Sequence, residues 1–399
     1  MEVECSFCSS APVHFFQLRF MKHFSQLNKQ SPWQQTLKKL RFTPWLIGAL
    51  FLLVSACGDH NTPNQPIKLI QPTGPQPEWA PNIDPQMLAV IEELVRLNPI
   101  PLWTLTPQEA RQKPTVKDAV LSLLAKNGIT PKPANVDVSL QVVPGPAGNS
   151  IRTVVYKPRG LSGPLPVIVY YHGGGWVLAN PEVYEASTKA LAEKVGAIVV
   201  SVDYRKAPEN KFPAAHEDAF AAYKWVRDNT ATLGGNPAKV AVAGESAGGN
   251  LAAAVSMLAR DRGVALPVHQ LLVYPIANND VNTPSYITYA NAKPLDKPLM
   301  LWFFDKYLNN PAEGDSPLIS LVDVANLSGL PPVTIIAAQI DPLLSEGKQL
   351  ADKYQQVGVP VVYQLYEGVT HEFFGTDAVV PKAGQAQDFA AARLRAAFQ

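Results

Sequence analysis

The sequence predicts an α/β fold with a mainly parallel central sheet that is flanked by helices. Short apolar runs alternate with segments of helical periodicity over most of the C-terminal 235 residues or so. One of these runs, PLPVIVYYH at 164–172, is apolar along its whole length, as expected of a strand buried on both faces. This alternation sets parallel strands side by side and connects them through helices on the two faces of the sheet.

The N-terminal segment, residues 1–56, is predicted to be a leader. A basic cluster at 38–41 precedes an uncharged apolar run at 42–58, which is shorter than the roughly 20 residues of a membrane-spanning helix. This order, basic then apolar then small residues, is typical of a secretory signal peptide. The residues VSAC that end at Cys57 resemble the lipobox of bacterial lipoproteins, which implies cleavage before Cys57 and lipid attachment to its thiol. An uncleaved N-terminal anchor is the alternative.

Removal of the leader changes how the composition is interpreted. The chain has 34 Lys and Arg and 33 Asp and Glu; without the six basic and two acidic residues of the leader, 28 and 31 remain, a formal charge of −3. This balance gives no broad attraction for nucleic acid or an anionic bilayer. Cys5 and Cys8 precede the alternative start Met21, and their C-x-x-C pair has no second pair in the chain. Cys57 alone remains, so an apolar core rather than a disulfide must stabilise the fold.

The rest of the chain divides into a tether, two helices and one large domain. Residues 57–82 are rich in proline and are predicted to form an extended tether. Residues 83–135 contain two amphipathic helical segments, DPQMLAVIEELVRL and TVKDAVLSLLAKNG. The domain spans residues 136–399. It opens with VDVSLQVV and SIRTVVYKP, which are predicted to pair as a hairpin.

A G-x-S-x-G motif, Gly244-Glu245-Ser246-Ala247-Gly248, lies between a predicted strand and a predicted helix. In a sheet of this type, chemistry is expected at the C-terminal ends of the strands. The motif in this setting is typical of a nucleophile elbow, where a sharp turn leaves little room for side chains and exposes the serine oxygen at a helix start. We therefore predict that Ser246 is a nucleophile.

A glycine-rich loop follows the apolar run PVIVYY. Glycines let backbone N–H groups approach a substrate carbonyl oxygen, on which negative charge grows during acyl transfer. We interpret the loop as an oxyanion hole, with the N–H of Ala247 as an additional donor. A phosphate cradle is disfavoured, because neither G-K-[ST] nor G-x-G-x-x-G is present. The loop consists of His172, Gly173, Gly174, Gly175 and Trp176.

A serine nucleophile needs a base and a carboxylate that orients it. His371, in EGVTHEFFG, follows the last predicted strand and precedes the final helix, whereas His216 falls within a helical segment. Asp341 ends the preceding apolar run, before Pro342, and is the predicted partner of His371; a helix N-cap is its other interpretation. Asp377 is the competing carboxylate. The order Ser, Asp, His is the one expected of an α/β-hydrolase.

Several ordered motifs resemble the hormone-sensitive lipase family of α/β-hydrolase esterases. They are HGGGW, DYRKAPENKFPAA, GESAGGN, LLVYP, SGLPP, DPLLSEG and THEFF, and the resemblance runs from about Val138 to the C-terminus. It implies a helical cap built from the N-terminal helices and an insertion at about 276–321. Glu245 departs from the family pattern, since many members carry Asp at this position.

The resemblance implies that Ser246 is the nucleophile, His371 the base and Asp341 its partner. It implies hydrolysis of a small-molecule ester and a preference for short chains. The residues themselves indicate an acyl-serine intermediate, and the scattered histidines give no reason to expect a metal or a cofactor. The oxyanion donors that the resemblance implies are the N–H groups of Gly174, Gly175 and Ala247. With a lipid on Cys57, the enzyme would be anchored at the membrane of a bacterial cell envelope.

Other functions use the same parts. An amidase or formamidase shares the triad, and a ligand-binding protein on a dead hydrolase fold is a further alternative, although such a protein typically lacks the nucleophile or the base. Ser345 and Lys348 form an S-x-x-K as in penicillin-binding enzymes, but no K-T-G follows. The chain shows no H-E-x-x-H. Six aromatic residues are candidates for the substrate pocket, although a place in the core is favoured for each: Trp176, Trp302, Phe303, Phe304, Phe373 and Phe374.

Overall fold

An eight-stranded sheet forms the centre of the protein in the computed structural model, which describes residues 69–146 and 148–399. The strand order is β1-β2-β4-β3-β5-β6-β7-β8; β2 runs antiparallel to both of its neighbours, and the later strands are all parallel. The predicted fold class and the predicted hairpin are confirmed. The strands are β1 (Val136–Pro144), β2 (Ser150–Pro158), β3 (Leu165–Tyr171), β4 (Ile198–Asp203), β5 (Gly235–Glu245), β6 (Gln270–Val273), β7 (Val333–Ile340) and β8 (Val361–Thr370).

Helices cover both faces of the sheet and create two apolar cores. Val167 and Val169 of β3 point into one core, and Ile168 and Tyr170 point into the other, which is why this strand is apolar along its whole length. Helices α5, α6 and α9 pack in the first core, and α1, α3, α4 and α10 in the second. The helices are α1 (Pro85–Leu97), α2 (Pro107–Ala110), α3 (Val116–Lys126), α4 (Glu185–Val195), α5 (Ala214–Asn229), α6 (Ala247–Asp261), α7 (Pro284–Thr288), α8 (Lys297–Tyr307), α9 (Leu344–Gln356) and α10 (Pro381–Ala397).

The described end of the proline-rich segment, residues 69–82, lies against the domain rather than free of it. Ile70 and Ala80 are buried, and the side chain of Glu92 accepts hydrogen bonds from the backbone N–H groups of Thr73 and Gly74, both at 2.7 Å. The prediction of a tether rested on the proline content. It did not consider that Ile70 and Ala80 could be buried or that Glu92 could bind the backbone of this segment. Residues 57–68, the leader and the predicted lipidation site Cys57 lie outside the described residues.

Two separate segments, one before β1 and one between β6 and β7, supply the helices that the sequence assigned to a cap. Helices α1 and α3 pack together, and the carboxylate of Glu93 in α1 accepts hydrogen bonds from Ser122 and Lys126 of α3. The insertion between β6 and β7 contributes α7 and α8. The sequence did not predict the short α2, which begins with a capping box between Thr106 and Glu109. Among the described helices, none is both long and apolar enough to cross a membrane.

Candidate active site

Ser246 occupies a strained turn between β5 and α6. Its backbone has φ 56° and ψ −120°, a region that non-glycine residues rarely adopt, and its N–H donates to the carbonyl of Val273 at 2.9 Å. A Cβ on Gly248 would lie 1.9 Å from the carbonyl oxygen of Tyr171, and one on Gly244 would lie 2.1 Å from the carbonyl oxygen of Gly248. The two glycines of the motif are therefore required by close backbone contacts, for the reason that the sequence suggested.

The structure brings Ser246, His371 and Asp341 together in one chain of hydrogen bonds. Ser246 Oγ lies 2.9 Å from His371 Nε2, and His371 Nδ1 lies 2.7 Å from Asp341 Oδ2. The other carboxylate oxygen of Asp341 accepts the backbone N–H of Leu343 at 2.9 Å, which fixes the rotation of the carboxylate. All three side chains are almost fully buried. An imidazole in this position takes a proton from the hydroxyl on one side while the carboxylate holds the Nδ1 proton on the other.

The surroundings of His371 favour a positive charge on its ring. Burial alone would lower the pKa of His371, but the charge of Asp341 and the hydrogen bond to it, with the charges of Glu372 and Glu245, raise that pKa above its usual value. The ring of Tyr274 packs at 4.5 Å from the imidazole, measured between ring centroids. The arrangement of these groups would therefore stabilise an imidazolium at His371.

The competing candidates lie apart from this arrangement. His216 is buried between Tyr307, which bonds its Nδ1 at 2.7 Å, and Asn250, whose side-chain oxygen lies 2.9 Å from its Nε2. Burial lowers the pKa of His216 to about 4, as suits a neutral structural histidine. Asp377 is exposed and accepts a hydrogen bond from Gln387 at 2.9 Å.

The S-x-x-K residues do not form a site either. Lys348 forms an exposed ion pair with Asp352, and the Ser345 hydroxyl oxygen accepts the backbone N–H of Ser285 at 3.1 Å. The lysine and the serine are thus engaged in separate local contacts.

The glycine loop after β3 lies beside Ser246. Gly174 and Gly175 have φ of 98° and 58°, and both line the cavity that contains Ser246. Among the described residues, neither of their N–H groups has a hydrogen-bond acceptor, so both are free for a substrate oxygen. Ala247 opens α6 directly after Ser246. A Cβ on Gly175 would lie 2.2 Å from the ring of Phe303, so α8 of the insertion rests directly on this loop.

His172 and Trp176 support the glycine loop from the protein interior. The Nδ1 of His172 lies 2.8 Å from the carbonyl of Gly173, and its ring stacks on Tyr204 at 4.3 Å. Burial lowers the pKa of His172 to about 3, so the ring is neutral and acts as a donor rather than a base. Trp176 is fully buried and stacks on Tyr307 at 4.5 Å. Both residues therefore support the loop and do not line the cavity.

A cavity of about 500 Å³ opens above Ser246 between the cap helices and the loop. Of the six aromatic residues that the sequence offered for the pocket, only Phe303 lines it; the other five contribute to the core or to the outer surface of the cap. Sequence analysis missed Trp103, Tyr184 and Glu372, which also line the cavity. Glu372 alone had a local signal, its place directly after His371.

Glu245, the residue before Ser246, is buried and accepts hydrogen bonds from the hydroxyls of Tyr170 and Tyr274. Burial raises its pKa to about 7, and the charge of Glu372 adds to the rise, although the hydroxyl donors oppose it. The carboxyl group thus connects the strand ends next to Ser246 and does not line the cavity. In the part of the chain that the structure describes, no group of three or more His, Cys, Asp and Glu side chains is placed to hold a metal ion.

Comparison with known proteins gives a consistent set of relatives. Residues 168–375 match a family described as alpha/beta hydrolase fold. The chain is 40% identical over 247 residues to the carboxylesterase NlhH of Mycobacterium tuberculosis, covering 61% of this chain and 77% of that protein. It is 33% identical over 297 residues to an arylesterase of Saccharolobus solfataricus, covering 74% and 93%. A solved esterase of Pyrobaculum calidifontis shares the architecture with a TM-score of 0.68 and 40% identity, over 73% of this chain and 94% of that one.

Proposed function

Because the chain belongs to the hormone-sensitive lipase family of α/β-hydrolase fold carboxylic ester hydrolases, we propose that it hydrolyses short-chain carboxylic esters through an acyl-serine on Ser246. The observation that carries the proposal is the continuous hydrogen-bonded chain from the Ser246 hydroxyl through His371 to Asp341, with contacts of 2.9 and 2.7 Å, at the floor of a cavity. The ester class follows from the family; the acyl-serine and the chain length are parts of the proposal.

In the first half of the reaction, Ser246 Oγ bonds to the carbonyl carbon of the ester while His371 Nε2 takes its proton. The carbonyl oxygen becomes an oxyanion, and the free N–H groups of Gly174 and Gly175, with that of Ala247, donate hydrogen bonds to it. The bond between the carbonyl carbon and the alcohol oxygen then breaks. His371 returns its proton to that oxygen, and the alcohol leaves.

In the second half, a water molecule attacks the acyl-serine. His371 takes a proton from the water as its oxygen bonds to the acyl carbon, and the bond to Ser246 Oγ breaks. The proton on His371 goes back to the serine oxygen, so the enzyme is restored and a carboxylic acid is released. The carboxylate of Asp341 keeps the Nδ1 proton in place throughout and stabilises the imidazolium in both halves.

The size of the cavity supports a small substrate. A volume of about 500 Å³ lies in the range of sites that enclose one small-molecule ligand. Two cap segments form its walls, and Phe303 closes it at the glycine loop. We therefore expect kcat/KM to be highest near butanoate and to fall for long acyl chains. A steady rise of kcat/KM toward long-chain esters would contradict this part of the proposal.

The direct test combines covalent labelling with substitution. An organophosphonate should label Ser246, one per chain, and mass spectrometry should find no label in Ser246→Ala. Ser246→Ala and His371→Ala should each lower kcat by several orders of magnitude, and the double variant should be little worse, since the residues act as a unit. A label on another serine, or substantial activity in Ser246→Ala, would refute the mechanism.

An amidase shares these parts, so paired substrates are needed to separate the two activities. Matched aryl esters and anilides with the same acyl group keep the acyl pocket constant and change only the leaving group. The proposal expects a much higher kcat/KM for the esters. A higher value for the anilides would favour the amidase.

For the N-terminus, we propose that Cys57 carries lipid and anchors the enzyme at the membrane of a bacterial cell envelope. The proposal rests on the sequence alone. Each buried methylene contributes about 0.8 kcal/mol, so two or more acyl chains hold a protein firmly whereas one is marginal. Mass spectrometry of the membrane-extracted protein should find a lipidated N-terminal Cys57, and Cys57→Ala should lose the modification. An unmodified Cys57 still joined to Ala56 would exclude it.

A further inference from the structure

Glu372 has an unusual backbone and an unusual position. It directly follows the base His371 and has φ 67° and ψ 11°, the left-handed conformation that side chains other than glycine and asparagine seldom adopt. Its side chain is partly exposed and lines the active-site cavity. Backbone strain of this kind persists where the surrounding structure enforces it, and it concentrates at functional sites. The triad as proposed above gives Glu372 no task.

The hydroxyl of Tyr184 connects Glu372 to the glycine loop. It donates a hydrogen bond to the Glu372 carboxylate, and it occupies the space in which a Cβ on Gly173 would lie, 2.3 Å away from that position. Tyr184 is buried and also lines the cavity. One phenol therefore touches the loop that binds the substrate oxygen and, through the carboxylate, the residue that follows the base.

Carboxyl groups approach His371 from three directions. Asp341, between β7 and α9, bonds to the ring directly, Glu245 comes from the end of β5, and Glu372 follows β8. The hydroxyls of Tyr274 and Tyr184 bond to Glu245 and to Glu372 respectively. Asp341 and Glu245 are about 1% exposed, whereas Glu372 opens toward the cavity. Burial raises the pKa of Glu372, and the charge of His371 and the hydrogen bond from Tyr184 oppose that rise. In its ionised form, Glu372 is the one of these three carboxyl groups that also faces the cavity.

We propose that Glu372 is a positioning and specificity-determining residue: its carboxylate, held by Tyr184, supports the positive charge that His371 acquires and repels anionic esters from the cavity. The inference rests on the roles proposed above for Ser246 and His371. Besides Asp341, Glu372 places a negative group near the imidazole, at the cavity. An oxyanion donor attracts negative charge on the substrate, whereas this carboxylate repels it. Arg111, Lys113, Lys206 and Lys293 also line the cavity, and three of them form ion pairs, with Glu209, Asp203 and Asp296 respectively for Arg111, Lys206 and Lys293. The proposed repulsion therefore concerns an anionic group that lies next to His371 and Glu372.

Two consequences can be measured. His371 accepts a proton only when it is neutral, so kcat/KM rises with pH through the pKa of His371. A neighbouring carboxylate raises the pKa of that ring. Removal of the charge should therefore move the acid limb of the profile to lower pH. An anionic substrate should gain in kcat/KM relative to a neutral one, because like charges placed together oppose binding.

The test compares Glu372→Gln with Asp377→Asn. Glutamine keeps the shape and an acceptor for Tyr184 but removes the charge; Asp377 is a carboxylate five positions further on that bonds Gln387 instead. In Glu372→Gln, the acid limb should fall by about half a pH unit or more. The ratio of kcat/KM for a succinate half-ester to that for the butanoate ester of the same alcohol should rise at least about tenfold. Asp377→Asn should change neither quantity. Loss of the Glu372 charge also lowers the pKa of Glu245, and a more fully ionised Glu245 offsets part of the shift of the acid limb. The substrate ratio is free of this offset, because Glu245 does not line the cavity.

A folded Glu372→Gln with an unchanged acid limb and an unchanged ratio overturns the proposal. If that variant does not fold, Glu372→Gly gives the same two readouts, since glycine adopts φ 67° freely. Tyr184→Phe should weaken both effects without abolishing them, because the carboxylate remains. Labelling with the organophosphonate separates this inference from the proposed function: wild type that labels at Ser246 supports the triad, whatever the Glu372 variants do.

Discussion

Replacement of Asp341 by asparagine removes the charge of the predicted triad but keeps its shape. Asp341 accepts two hydrogen bonds, from His371 Nδ1 at 2.7 Å and from the N–H of Leu343 at 2.9 Å. Asparagine offers one oxygen and one NH₂ group for these two donors. If the oxygen faces Leu343, the NH₂ faces Nδ1, which must then lose its proton. The proton moves to Nε2, and His371 can no longer take the proton of Ser246.

The opposite orientation of the amide keeps the productive tautomer at a cost. It sets the NH₂ group against the N–H of Leu343, and the buried N–H loses its acceptor, a penalty of about 1–3 kcal/mol. Since about 1.4 kcal/mol is a factor of ten, the productive form falls to roughly one molecule in five to one in a hundred. Loss of the carboxylate charge beside the imidazolium adds a further factor. In a well-studied triad, the same substitution lowers kcat about 10⁴-fold.

We therefore expect kcat of Asp341→Asn to fall about 10³- to 10⁴-fold on a butanoate ester, with a smaller change in KM. Active-site titration should correct for the fraction of folded enzyme. Asp377→Asn is the matched control and should retain wild-type kcat, because Asp377 bonds to Gln387 and does not contact His371. The reasoning is wrong if Asp341→Asn stays within tenfold of wild type, or if Asp377→Asn loses as much.

Three other substitutions test the cavity wall, the contacts between α1 and α3, and the turn at Ser246. Phe303→Ala should raise kcat/KM for hexanoate relative to butanoate severalfold, since each newly buried methylene contributes about 0.8 kcal/mol; Phe304→Ala, whose ring lies outside the cavity, should not. Glu93→Gln should lower the free energy of unfolding at pH 7 by about 1–2 kcal/mol in urea melts. Hydrogen bonds from Arg96 and Lys126 lower the pKa of Glu93 to about 2, although burial opposes them. This stabilisation is therefore present above pH 4.5, and the stabilities of the two proteins should converge as the pH falls toward 2. Gly248→Ala should abolish phosphonate labelling because its Cβ would meet a backbone oxygen at 1.9 Å, whereas Gly347→Ala, with open space around it, should label normally.

The elbow and the order of the triad were accessible from the sequence because their signals are local. A strand, a tight turn and a helix follow one another within a few residues around Ser246, and glycines mark the two backbone contacts. Parallel strands end at the same edge of the sheet, so the residues after β7 and β8 had to lie near the residue after β5. Alternating apolar runs therefore sufficed to bring Asp341 and His371 toward Ser246.

The walls of the cavity were not accessible in the same way. Trp103 comes from the segment between α1 and α2 and Phe303 from the insertion, and only the packing of these distant segments places both on one cavity. Trp176 follows the three glycines of the glycine loop, yet its ring stacks on Tyr307 in the core. A pattern of apolar residues tells which ones are buried but not which side of an irregular loop faces a ligand. Five of the six aromatic candidates pack in or against the core, as the sequence favoured for each, and only Phe303 lines the cavity.

The backbone strain at Glu372 could not be found from composition or spacing, although its place directly after His371 could. Five non-glycine residues of the described chain have positive φ: Trp176, Ala179, Ser246, Tyr274 and Glu372. Each lies after a strand, at the C-terminal edge of the sheet. Such residues cost about 1–3 kcal/mol apiece, and glycine would relieve the strain at each. The sequence does not reveal this cost, because the residue type alone does not give the backbone angles φ and ψ. The apolar cores on both faces of the sheet fix the strand ends and offset this cost. Ser246 and Glu372 can therefore keep backbone conformations that an isolated loop would not hold.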